Sequence, residues 1–320
     1  QVTTLAALAG TGIYIEEANS LTIDTVATVN VTVDGPNRAN FNSTTTAVPQ
    51  SRTTNALEDL ATLNNGPIKI VTLNGTITVN DGTTTSAGIT ANGTGDVLLQ
   101  ARGAGSDVIV NAAVSSGSGH VTLNAVDDVD VNASITTGGS GTVYVAGAGV
   151  SIDASVTTLN GDVLISSTQE ITQTAAINST SGDVGIIAGT TITQSSSGDI
   201  TTNSGDVLIE AGTDWTMSNG TVITAGGGDF DGKALNGDLA LGRINAARAA
   251  MSASGDISDA NGTTLNVDGT SLSMRAGGMI GNLDNTNGTP SSNANAIDTQ
   301  VTTLTAIAGT GIYIEESNSL

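Results

Sequence analysis

Asp127, Asp128 and Asp130 stand together in the stretch VDDVD, and Arg102 precedes them by about one repeat unit. Clustered carboxylates beside a basic residue, on one exposed face next to a cleft, are what cleavage of a polysaccharide requires, because protons must be given and taken at the scissile bond. Arg102 lies 7 residues past its glycine and Asp127 lies 8 past its own, which puts them close to the same position of successive units. The competing reading is a surface ion pair at a turn, worth less than about 1 kcal/mol. Aromatic residues, the platforms on which sugar rings stack, make up only 2% of the chain. The reading adopted is no enzyme, with no catalytic residue assigned.

The remaining chemistry-bearing positions are few. His120 is the only histidine, so one chain cannot build a multi-histidine metal site. It follows Gly119, where other units carry Asp or Thr, and reads as an exposed turn residue. Asp96, Asp162, Asp183, Asp206 and Asp238 each follow a glycine and are expected to stack at one turn. Such a ladder has two readings: carboxylate oxygens that bind Ca²⁺, or side chains that hydrogen-bond the turn backbone. No metal or cofactor residue is assigned, calcium being the one ion the ladder would suit. Trp215 and Tyr144 are isolated and read as core or rim packing. Nine Asn-x-Ser/Thr sites, among them Asn42, Asn74, Asn132 and Asn219, are close to what 28 asparagines amid so much serine and threonine give by chance. The Asn-Gly pairs at Asn74, Asn160 and Asn236 mark turns.

The composition says what kind of scaffold must hold these residues. Glycine accounts for 41 of 320 residues, serine and threonine for about a quarter, and the apolar content is almost entirely Ala, Val, Ile and Leu. Small and β-branched side chains suit stacked layers of strand in which each neighbour is a near copy of the last. A net charge of −22 disfavours nucleic acid and anionic membrane surfaces as partners. The absence of cysteine removes disulfides, thiol catalysis and zinc–thiolate sites together. No stretch approaches 18 consecutive apolar residues, so no membrane insertion by a helix is expected. Residue 1 begins inside a repeat, which predicts a piece of a longer chain.

Two periods run through the sequence. The shorter is a glycine followed by an alternating strand: GDVLLQA at Gly95, GHVTLNA at Gly119, GTVYVAG at Gly141, GDVLISS at Gly161, GDVGIIA at Gly182, GDVLIEA at Gly205 and GDLALGR at Gly237. Pairs such as Val97/Leu99, Val163/Ile165 and Leu239/Leu241 are apolar at period two, one face in and one face out. Val108, Val129, Val150, Ile171 and Ile192 are 21 residues apart, and so are the tripeptides ending at Val114, Ile135, Val156 and Ile177. Equivalent residues at constant spacing predict an all-β fold, a right-handed parallel β-helix (β-solenoid) of about 20–24 residues per coil with three short strands in each. The longer period is 299 residues: Gln1–Leu21 and Gln300–Leu320 agree at 18 of 21 positions. Residues 1–299 then read as one complete long repeat of about 13 or 14 coils, a rod of about 65 Å, and 300–320 as the start of the next. Residues 35–66, with a short helical turn at Ala56–Leu63, and the polar stretch 281–296 are expected to be excursions from the rod. Ile13/Ile15 and Ile312/Ile314 are expected to match the inward pairs of other coils.

GDVLLQARGAGSDVIVNA, NNGPIKIVTLNGTITVNDGT and AGGMIGN…AIDTQVTTLTAIAGTGIYIEE resemble the β-helical repeats of giant bacterial surface proteins, the filamentous-haemagglutinin-like and β-strand-repeat adhesins. The resemblance covers nearly the whole chain and implies an extracellular, cell-surface location. The function expected is a structural module of a long bacterial fibre, stiffened by coil stacking and continued end to end; the alternative is the stalk or binding segment of an adhesin. Its partners are then copies of itself end to end, with lateral fibre contacts or cell-surface glycans as further possibilities.

Overall fold

The alternation of β-branched residues with small polar ones leaves little choice but strands, and strands are what form. In the computed structural model, which describes residues 2–35, 37–83, 86–282 and 295–317, every regular element is a β-strand. The short helical turn expected at Ala56–Leu63 is not formed. Leu57 bridges Val26, Asp59 adopts a φ of +64° that no helix accommodates, and Leu60–Thr62 is already a strand.

The strands stack in parallel into three faces that nearly close around one core, a solenoid. The first face carries the longest strands: Ile13–Glu17, Ile68–Thr72, Val97–Ala101, Val121–Ala125 and so on to Val207–Ala211, each in register with the next. It continues through the ends of Val222–Ala234 and Arg243–Ala253 to Ser271–Ala276 and Thr303–Ala308. The second face is a ladder of 13 short strands, from Thr4–Leu5 to Gly311–Ile312. The third runs from Ala7–Ala9 through Ala113–Ser116 and Ile135–Thr137 to Ile314–Glu316. The 21-residue register is confirmed residue by residue: Val108, Val129, Val150, Ile171 and Ile192 pair in succession on the second face. Val114, Ile135, Val156 and Ile177 do so on the third.

Alternate residues of every face point inward and are buried: Val163 and Ile165, Ile171 and Gln173, Ile177 and Ser179 within a single coil. Burying each such aliphatic side chain contributes about 2 kcal/mol of transfer free energy, so stability accumulates coil by coil. The inward hydroxyls sit at the corner before the first face. Thr137 donates to the Gly141 carbonyl at 2.6 Å and Thr202 to that of Gly205 at 2.5 Å, which satisfies backbone groups the turn has taken out of the ladder. The glycines of this corner are required by spacing between coils. A Cβ at Gly161 would lie 1.9 Å from the Gly141 carbonyl oxygen, and one at Gly182 would lie 2.2 Å from that of Gly161.

Three expectations need correction. Leu239–Leu241 is a second-face strand, paired with Trp215 on one side and Ile257–Asp259 on the other. The first face of that coil is Phe230–Ala234, inside the long strand Val222–Ala234. GDLAL carries an apolar alternation that GDFDGKA lacks, because Gly232 interrupts it. Gly232 faces inward, and a Cβ there would come within 2.5 Å of the Trp215 ring. It makes room for the largest side chain of the core.

Second, 299 residues make fewer coils than 13. From Leu5 on the second face to Leu304 on the first, the chain passes eleven complete coils and two faces of a twelfth, about 56 Å of rod. The excursion absorbs the difference: it leaves after Leu21–Ile23 and returns at Leu60–Thr62, before the expected limit of 66. Of the second expected excursion, residues 283–294 lie outside the described residues.

Third, the two copies of the duplicated segment occupy different faces. Ile13 opens a first-face strand and is 6% exposed, whereas Ile312 lies on the second face and is 46% exposed. In the second copy Thr303–Ala308 fills the first face beside Ser271–Ala276, which pushes GIYIEE onto the next two faces.

Candidate functional sites on the rod surface

The glycine-aspartate motif builds a column at the entry to the first face. Asp162 Oδ1 accepts the backbone N–H of Asp183 at 2.9 Å, Asp183 that of Asp206 at 2.8 Å, and Asp206 that of Asp229 at 2.8 Å. Asp96 does the same for His120. His120 takes the carboxylate's place in its own coil: its Nδ1 lies 3.2 Å from the Thr142 N–H and 2.7 Å from the Thr142 hydroxyl. The exposed turn position expected for His120 is the one it holds.

Asp238 does not belong to this column. It stands in a second one, at the entry to the second face, where Asp214 Oδ1 accepts the Asp238 N–H and Asp238 Oδ1 accepts the Asp256 N–H, both at 2.8 Å. Asp107, Asp128 and Asp256 act likewise on Asp128, Gly149 and Met279. In both columns Oδ1 is already bonded to the next coil's main chain. Among the described residues no three acidic or histidine side chains converge as metal ligands. The columns have the bonding of the turn-backbone reading, and they do not form a calcium cage, which needs six or more oxygens around one point.

The Asp127–Asp130 cluster is brought to one corner without its arginine. Arg102 turns its Nε onto Gln100 Oε1 at 2.9 Å, and the ion pairs among the described residues join Lys233 to Asp231 and Glu210, Arg243 to Asp268, and Arg248 to Asp229. Asp130 lies on the second face; burial pushes its carboxyl up, and the nearby charges of Asp128, Asp107 and Asp153 add to the effect. The notch beside it holds about 130 Å³ and is lined by Asp128, Asp130, Ser151, Glu170 and Thr172, with no basic residue. The arginine expected beside the cluster is engaged with Gln100 instead.

Two features escaped the sequence reading. Inside the rod, Gln173 and Gln194 are fully buried in successive coils; Gln194 Nε2 donates to Gln173 Oε1 at 2.9 Å, and Trp215 Nε1 donates to Gln194 Oε1 at 2.8 Å. The signal was present: Ile-Thr-Gln occurs at 171–173 and again 21 residues later. On the outside, a cleft of about 600 Å³ runs along five rungs of the first face, from Asp206–Leu208 to Thr303–Thr305. It opens where outward side chains shrink to Ala250, Ser271 and Ser273. The Arg248 guanidinium, hydrogen-bonded to Asp229, holds that carboxyl below the usual range at the cleft's edge.

Compared with protein-family models, with curated proteins and with solved structures, the chain matches none of them.

Proposed function

We propose that this chain is a length-giving segment of an extracellular bacterial fibre: a right-handed parallel β-helix that continues end to end with copies of itself and carries out no catalysis. The observation that supports the reading is the unbroken ladder of the first face, twelve rungs from Ile13–Glu17 to Thr303–Ala308, each hydrogen-bonded to the next. A solenoid of this kind presents a sheet edge at each end of the stack, and strand edges pair with other strands unless covered. A buried core dominated by Val, Ile and Leu, stacked coil on coil, supports a stiff rod. The 299-residue recurrence of the duplicated segment fits a tandem array better than a single folded enzyme.

The test is immunogold labelling of intact cells of the source organism with an antibody to this chain. Labelled filaments with an axial repeat near 56 Å are expected; label confined to the cell interior overturns the reading. A second reading, an adhesin stalk, is favoured by the hairpin at residues 29–54, which projects from the rod with every strand residue exposed. Removing the hairpin would abolish attachment in that case and leave the filaments in place.

A further inference from the structure

The hairpin has two unlike sides. Val29–Val33 pairs antiparallel with Gln50–Thr54, so Val29, Val31 and Val33 share a side with their direct partners Thr54, Arg52 and Gln50. The other side is polar and closes on itself, the Thr53 hydroxyl donating to Asn30 Oδ1 at 2.7 Å. The valine side has no cover: its three valines are 50, 53 and 60% exposed, and Phe41 beyond them is wholly exposed. A lone two-stranded ribbon is marginal in water, and a row of three exposed valines along one strand of it marks a contact surface.

The first-face cleft is the matching surface. Its five rungs span about 19 Å along the rod, close to the roughly 17 Å of a five-residue strand. Charge favours the same pairing. Of the chain's 30 acidic and 8 basic residues, residues 25–57 hold one acid, Asp34, and two bases, Arg38 and Arg52. The hairpin is thus a basic element on a strongly acidic rod. Arg52 sits opposite Val31, in the middle of the valine side, and the cleft is edged by Asp206, Asp229 and Asp231. Arg248 pairs with Asp229 and Lys233 with Asp231, so Asp206 is the acid outside these ion pairs. Within one chain the two surfaces do not meet. No described residue of 25–57 lines the cleft, which begins six rungs, about 29 Å, from the rung where the hairpin is rooted.

We propose that the valine side of the hairpin seats in the first-face cleft of a second copy of this chain, joining rods side by side. Hairpin and cleft are different surfaces, so the contact is heterologous and each rod both gives and receives. The proposal requires only the folded rod and is independent of the end-to-end reading above.

Sedimentation velocity on the purified 320-residue chain tests it, with two exposed substitutions: Val31→Glu on the hairpin and Ala250→Arg on the cleft floor. The wild type is expected to form dimers and larger species at micromolar concentrations, more weakly at high salt. Each variant alone loses at least tenfold in association while keeping its circular dichroism and melting temperature. An equimolar mixture of the two forms dimers and stops there, because one supplies the intact cleft and the other the intact hairpin. Phe41→Ser and Thr305→Arg repeat the experiment should either first variant fold poorly. A wild type that stays monomeric up to about 100 μM overturns the proposal and leaves the hairpin to a different kind of partner. So does a variant that associates like the wild type, or a mixture no better than its components.

Discussion

The indole N–H of Trp215 reaches Gln194 Oε1 at 2.8 Å across two coils of the rod, and both side chains are fully buried. Gln194 in turn donates to Gln173, whose own Nε2 donates to the carbonyls of Ala175 and Asp199. Buried polar groups survive in an aliphatic core only when each has its partner. Gln194→Leu removes three bonds at once, to Trp215, Gln173 and the Gly198 carbonyl, and leaves the Trp215 N–H and Gln173 Oε1 dry. It is expected to lower stability by about 2–4 kcal/mol, read as a shift in the urea midpoint. A loss under about 0.5 kcal/mol would show that the chain of bonds contributes nothing.

The aspartate columns bear on calcium. Asp162→Ala leaves the Asp183 N–H without its acceptor and is expected to cost about 1 kcal/mol, with Asp162→Asn recovering part of it. Chelator should leave the melting temperature where it was. A rise of several degrees with micromolar Ca²⁺, lost in Asp162→Ala, would return the column to the cation-binding reading.

Gly161 lies between two stacked carbonyl-bearing glycines, and the space for a methyl group is taken by the backbone of the coil below. Gly161→Ala has to push two coils apart and is expected to cost about 2–3 kcal/mol. Gly185 is the control: a Cβ there meets only the flexible Leu164 side chain, at 3.1 Å. Gly185→Ala should be close to neutral in the same denaturation assay.

Asp298 gives the rod a pH dependence. Burial pushes its carboxyl up to about 6, and Glu315 and Asp259 add like charge. The native chain therefore holds this proton more tightly than the unfolded chain, whose aspartate titrates near 4. The associated stability is fully present below about pH 4 and is lost as the pH rises through 6. Asp298→Asn should melt higher than the wild type at pH 7.5, by about 1 kcal/mol after solvent screening. The difference should vanish at pH 4, and a difference independent of pH would refute the assignment.

Much of the fold was legible because stacking repeats the same demand at every coil. Val108, Val129 and Val150 face one environment three times, so their 21-residue spacing carries the second face directly. The reading failed where a coil solves the same problem with different residues. Phe230 with Gly232 fills the space that Val and Ile fill elsewhere, so Leu239 was assigned to the wrong face and Asp238 to the wrong column. Arg102 and Asp127 were placed near each other by counting from glycine, but a side chain's direction is set by its neighbours, and Gln100 is nearer to Arg102. The cleft was illegible because a concavity made by small outward residues depends on five coils together, none of them unusual alone. The hairpin's two sides needed its strand pairing, which fixes which residues share a side.

The different faces occupied by Leu5 and Leu304 have a geometric consequence for any array built on the 299-residue period. A period that is not a whole number of coils acts as a screw. Each successive hairpin would leave the shaft about one-third of a revolution from the one before, and the same bearing would return only after three periods, about 170 Å along the axis. Arms pointing in three directions brace a shaft against bending in every plane. They would also let it grip neighbours all round, which favours a three-dimensional bundle over a flat raft.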